Sequence, residues 1–154
     1  MMESLEPYLR EHPFCKGMKP EHVALMVGCA SNVRFNEGEY LDREGDRADK
    51  FWILRHGRVA IEIFNPASGP ICIQTVGEGE VVGWSWLFPP YIGHFDSRAL
   101  EVTRAIALDG VCLRNKCEQD HELALDLYKR FVSVMEQRIE ASRMQLLDLY
   151  ANRP

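Results

Sequence analysis

The sequence predicts an α+β domain. A compact antiparallel β-structure, a barrel, roll or jelly roll, is flanked by short helices before it and a long helix after it. Three observations carry this expectation. Short apolar runs between Val33 and Ile73 are separated by turn-forming clusters, the pattern of many short strands folding back on one another. Residues 4–30 carry their apolar side chains at helical spacing instead. Beyond Asp109 that three-four spacing returns and continues almost to the end.

Ser4 is placed to cap a short helix holding Leu5, Tyr8 and Leu9. His12-Pro13 ends it, because a residue before proline avoids helical geometry. Pro20 suits the first turn of a second short helix with Val23, Leu25, Met26 and Val27, closed at Gly28. Strand-like runs follow at Val33-Arg34-Phe35, Glu39-Tyr40-Leu41, Phe51-Trp52-Ile53-Leu54, Val59 to Ile63 and Ile71-Cys72-Ile73. Turns are marked by Asn36-Glu37-Gly38, Gly45-Asp46, His56-Gly57 and the stretch from Asn65 to Pro70. Ala99 to Leu108 supplies the final strands. Val111 to Cys117 reads as a short helix, and Asp120 as the cap of a long one. The expected organisation is one domain over 1–154: helices over 1–32, β-roll over 33–109 and C-terminal helices over 110–154.

Bulk properties narrow the function. A length of 154 residues suffices for a real core. A net charge of -5 argues against a nucleic-acid surface as the main business. Glu3, Glu6, Arg10 and Glu11 leave no room for a signal-peptide core, and no apolar run reaches the ~18 residues of a membrane span. A soluble, cytoplasmic protein is expected. Five scattered cysteines show no C-x-x-C spacing, and five histidines show no i,i+4 pair. Reduced, mostly buried thiols and no metal are therefore expected.

The long helix carries Leu125, Tyr128, Val132, Met135, Ile139, Ser142, Leu146 and Leu149 at strict three-four spacing, with Leu123, Leu127, Phe131 and Val134 on a second face. One face can lie on the β-roll while the heptad seam meets a second copy of the chain. A homodimer through Leu125, Tyr128, Val132, Met135, Ile139, Leu146 and Leu149 is expected. A single wide core-facing stripe in a monomer is the alternative.

The stretch from Val76 to Leu108 is the candidate pocket wall. It alternates Gly with Glu, then packs Trp84, Trp86, Phe88, Tyr91 and Phe95 around Pro89-Pro90. Glycines permit tight turns and prolines stiffen the loop. Such an aromatic, rigid loop builds either a core or a pocket.

The runs G-E-Y-L-D-R-E-G-D (38–46), F-W-I-L-R-H-G-R-V-A-I (51–61) and G-E-G-E-V-V-G (77–83), with the long terminal helix, resemble the cyclic-nucleotide-binding domain family. The likeness covers nearly the whole chain and points to the catabolite-activator/FNR branch. It implies an antiparallel β-roll of the double-stranded β-helix type. It also implies a non-catalytic sensor, without cofactor or metal, that takes a cyclic nucleotide or similar anionic ligand and signals through its C-helix. In the family, a Glu directly after the glycine matching Gly83 accepts from the ribose hydroxyl. An Arg about ten residues on pairs with the cyclic phosphate, beside N–H groups of a short helix. Here Trp84 stands at the Glu position, and an ungapped count puts the Arg position near Ile92 or Gly93. A longer loop brings Arg98 into the role, since Arg98-Ala99 is similar to the family's Arg-Ala/Ser step. The C-helix match places Arg138 opposite the cassette, where it can stack on Trp84, and Ser142 and Arg143 near the purine. Candidate ligand residues are Gly83, Trp84, Ser85, Trp86, His94, Arg98, Arg138 and Ser142. The alternative is a degenerate domain whose pocket is filled by its own side chains, acting as a homodimeric scaffold or partner-binding protein.

Other function classes find less support. Relatives that bind DNA append a helix-turn-helix after the C-helix, so direct DNA binding is not expected of a chain that stops at Pro154. The glycines at 77, 79 and 83 lie among strands and open no helix, so a dinucleotide fold has no footing. His94, Asp96 and Ser97 sit too close in sequence to converge as a triad, and no oxyanion donor accompanies them.

Overall fold

In the computed structural model, which describes residues 4–152, helices α1 (Glu6–Glu11) and α2 (Pro20–Val27) come first. Eight strands follow: β1 (Ala30–Phe35), β2 (Tyr40–Asp42), β3 (Lys50–His56), β4 (Arg58–Asn65), β5 (Gly69–Gly77), β6 (Val81–Val82), β7 (Asp96–Ala99) and β8 (Thr103–Asp109). Helices α3 (Gly110–Gln119) and α4 (His121–Ala151) close the chain. Glu3 of the acidic N-terminus, Pro154 and the two ends of the expected 1–154 unit lie outside the described residues.

The strands form two four-stranded antiparallel sheets, β1-β8-β3-β6 and β2-β7-β4-β5. This is the expected antiparallel β-roll with flanking helices. Alternation along β3 and β8 explains the layering. Trp52, Leu54, Ala105 and Ala107 point into the roll, where they meet Val59, Ile61 and Val82. Phe51, Ile53, Ile106 and Leu108 point the other way, against Leu9, Met26, Leu113, Leu127 and Phe131 of the helices. Both faces of β3 are thus buried, which is why it reads as a continuous apolar run. Each such side chain contributes roughly 1.5–3 kcal/mol by leaving water.

Local signals set most boundaries. Pro20 opens α2, and Asp120 caps α4 by accepting the Leu123 N–H at 3.0 Å. Ser4 precedes the capping position, held by Leu5, yet its hydroxyl accepts the Glu6 N–H at 3.2 Å. Strand β6 has two residues, too few to show alternation. On α4, Leu123, Leu127 and Phe131 are buried against the roll. Leu125, Tyr128, Val132, Ile139, Leu146 and Leu149 are exposed, while Met135 leans on the core. No helix among the described residues is long and apolar enough to cross a membrane.

The cysteine expectation is corrected. Cys29 and Cys112 form a disulfide, with their Cα atoms 5.8 Å apart. They lie 83 residues apart in sequence, so the pair has no local spacing to betray it. Cys15 is buried and Cys117 half-buried, whereas Cys72 is exposed on β5.

Candidate functional site

Gly83 sets the geometry of the 83–99 loop. Its φ is +94°, and a Cβ there would lie 3.3 Å from the Lys50 carbonyl oxygen. Glycine takes this left-handed turn without strain. The chain then enters a single helical turn, Ser85–Leu87, which separates the two indoles. Trp86 goes into the core, stacked on Phe51 at 5.0 Å and edge-on to Phe131 at 5.7 Å. Its buried Nε1 has no hydrogen-bond partner among the described residues. Trp84 stays half-buried and meets Phe95 edge-on, with ring centres 6.4 Å apart.

Arg138 reaches this wall from α4. Its guanidinium lies 5.2 Å from the centre of the Trp84 ring and donates to the Val81 carbonyl. Asp42, Ile61, Gly83, Trp84, Phe95 and Arg138, with Ser85 and Ser97, enclose a cavity of about 20 Å³. That is room for about one water molecule. Small-molecule sites run from about 300 Å³ upward. Two wider clefts, about 270 and 420 Å³, lie outside this cavity, and each is lined by Glu80, Gln137 and Arg138.

The charges at the site are largely spoken for. Arg98 on β7 grips Glu62 on β4 through two hydrogen bonds of 3.1 Å, from Nε and Nη2. The Glu62 side chain is only 5% exposed, so this pairing satisfies a carboxylate that would otherwise be buried alone. Burial pushes the Asp42 carboxyl up to about 6, and the nearby Asp46 and Asp96 add to the rise. The Arg43 N–H opposes it, donating to Asp42 Oδ1 at 3.1 Å. Burial lowers the Arg138 guanidinium from its ordinary value, while Glu80 opposes the shift.

Gly83, Trp84, Ser85 and Arg138 therefore meet around one cavity. Trp86 turns into the core, and His94 is exposed on the loop. Arg98 is engaged by Glu62. Ser142 joins Gln74 instead, whose Nε2 donates to the Arg138 carbonyl at 2.8 Å and lies 3.5 Å from Ser142 Oγ. Phe95 joins the wall, and Asp42, Ile61 and Ser97 complete it without having stood out as pocket residues. Phe95 had a signal in the aromatic loop. Asp42 and Ser97 meet only because β2 and β7 pair in that register, which no local pattern reveals. Among the described residues there is no cluster of three or more His, Cys, Asp or Glu side chains able to hold a metal ion.

Comparison with known proteins places this geometry. A family model described as "cyclic nucleotide-binding domain" matches residues 32–120, more than half of the chain. A cAMP-dependent protein kinase regulatory subunit of Emericella nidulans is 35% identical over 52 residues, 34% of this chain and 13% of that protein. The matched segment is thus a small part of that relative. Among solved structures, a cyclic nucleotide-binding domain from Methylobacillus flagellatus superposes with a TM-score of 0.82 at 18% identity, covering 96% of this chain and 86% of that one. A putative cyclic nucleotide-binding protein from Geobacter metallireducens gives 0.78 at 23% identity, covering 90% and 99%. The Gly-rich passage into a short helical turn, the β-roll and the closing long helix are those of one family, and the chain belongs to the cyclic nucleotide-binding domain family.

Proposed function

We propose that the chain is a non-catalytic regulatory module of this family that works without an ordinary cyclic nucleotide in its cassette, and that it acts as one unit over 1–154. The observation that carries this reading is the 20 Å³ cavity. Trp84 occupies the place of the ribose-binding carboxylate, and Phe95 and Arg138 complete the filling. Arg98 has its own buried partner in Glu62, and the Asp42 carboxylate on the wall opposes a phosphate. The output face is the exposed seam of α4, which meets a second copy of the chain to form a homodimer. The compartment is the cytoplasm, and neither DNA nor membrane is contacted directly.

Thermal melting of the full chain with cyclic AMP, cyclic GMP and cyclic dinucleotides tests the reading. A ligand of the folded state at a hundred times its Kd adds about 2.7 kcal/mol, several degrees for a protein of this size. Shifts below about 1 °C at millimolar nucleotide are expected. A saturable rise of several degrees with any of them would overturn the self-filled site.

One observation favours a second reading, a sensor for a small anionic ligand. Arg138 is held largely out of water by the indole face and a carbonyl, with Glu80 the acid that acts on its charge. If Trp84 swings outward, that cation faces the vacated space. The same panel, extended to small carboxylates and phosphates, separates the two readings.

A further inference from the structure

We propose that Cys29 and Cys112 form a reversible thiol–disulfide site, oxidised by a small disulfide such as oxidised glutathione and reduced by a dithiol, which fastens α3 and α4 to α2. The proposal goes beyond whatever the cassette holds, and rests on the cytoplasmic compartment inferred above, where lasting structural disulfides are rare.

The position of the bond is the first argument. Cys29 lies at the junction of α2 and β1, and Cys112 in the first turn of α3. Helix α3 leads directly into α4, which carries the exposed seam. The other ties between α2 and this pair of helices are non-covalent: Val23 and Met26 share a core with Leu113, Leu123 and Leu127, and three polar contacts add to it. Lys116 Nζ donates to the Leu25 carbonyl at 2.6 Å, His22 Nε2 lies 3.8 Å from Asp120, and Lys19 pairs with Glu122. The disulfide is the one covalent link among the described residues between α2–β1 and α3. Breaking it leaves polar ties and packing to hold the helices in place.

Access is the second argument. Cys112 is half-buried while Cys29 is 9% exposed, so a reductant meets the Cys112 sulfur first. Its thiolate attacks that sulfur and forms a mixed disulfide, while Cys29 leaves as thiolate and takes up a proton. The reductant's second thiolate then displaces Cys112, which is protonated in turn. Two electrons and two protons have moved, and the reductant ends as a disulfide. In the reverse direction the Cys112 thiolate attacks the small disulfide and releases one thiol. Cys29 then displaces the second thiol.

The Lys116 ammonium, one turn on from Cys112, donates to the Leu25 carbonyl beside this junction, and the Asp109 carboxylate accepts the Cys112 N–H at 3.0 Å. The other core thiols are poorer candidates. Burial pushes Cys15 up to about 12, and burial also raises Cys117.

The test uses the full chain equilibrated across reduced-to-oxidised glutathione ratios, then acid-quenched and differentially alkylated for mass spectrometry. Hydrogen exchange is read on the same samples. Cys29 and Cys112 should convert together at a midpoint within the buffered range, with Cys15 unmodified. Amides of α3 and the first turns of α4 should exchange at least about tenfold faster once the pair is reduced. Cys29→Ser and Cys112→Ser should each match the reduced protein, although reduction of the wild type alone decides the matter. A pair oxidised at every ratio is a fixed cross-link, and one reduced at every ratio is no switch. Either result overturns the proposal, as does conversion without a change in α3 exchange. No nucleotide is present, so the outcome is independent of the self-filled cassette.

Discussion

Asp42 offers the sharpest residue-scale test of the cavity wall. Its folded pKa, about 6, lies above the ordinary 3.8, so the native state binds more protons than the unfolded chain between those values. Stability contributed by this group is therefore present at low pH and falls as pH rises from about 4 to about 6. Asp42→Asn removes that loss and keeps the acceptor for the Arg43 N–H. It should stabilise the protein at pH 7 by about 1 kcal/mol, a value discounted because part of the carboxyl meets water. Urea midpoints at pH 4.5 and pH 7 check it, and equal slopes with pH in both proteins would remove Asp42 as the cause. Arg98 gives the second test. On a phosphate-binding role, Arg98→Ala would leave the fold intact. With Glu62 as its partner, the change strands a buried carboxylate and should cost about 2 kcal/mol, below the roughly 3–5 of a fully buried pair because Arg98 is partly exposed. Adding Glu62→Gln should recover most of the loss in a denaturation series. The meeting of Arg138 with the Trp84 ring was legible from the chain alone, through the likeness of Gly83 and the long helix to the family's pattern. The Arg98–Glu62 pair was not, since it depends on how β4 lies beside β7.

At the scale of elements, α4 was read nearly to its ends. Three-four spacing showed two faces, and Asp120 marked the start. The structure buries Leu123, Leu127 and Phe131 and leaves Leu125, Val132, Ile139, Leu146 and Leu149 facing water. A helix of 31 residues is about 45 Å long, and so bare a seam suits a second copy. Ile139 is 69% exposed, so Ile139→Glu costs a monomer little. Sedimentation should give a dimer for the wild type and a monomer for Ile139→Glu, with the fold retained by circular dichroism. A monomeric wild type at tens of micromolar would count against the pairing. Short elements were harder to read. Two-residue β6 has no period, and β7 separates from β8 only through its pairing with β2 and β4. The Cys29–Cys112 bond escaped for the same reason, being set by where α2 and α3 meet and not by any local pattern.

Across the whole molecule, the two buried faces of β3 explain why the layers stack as they do. Phe51 and Ile53 hold the helices, and Trp52 and Leu54 fill the roll. That much is written in alternation and turn chemistry. Whether a concavity stays open is a matter of volumes summed over distant strands, and there the sequence could only offer two outcomes. On the reading proposed above, the side chains of Trp84, Phe95 and Arg138 close it, because they converge from a loop, a strand edge and a helix onto one point. Calorimetric titration of cyclic AMP into the full chain addresses this convergence most directly. A flat isotherm up to millimolar nucleotide is the expected result, and a saturable one-to-one isotherm with a micromolar Kd would contradict it.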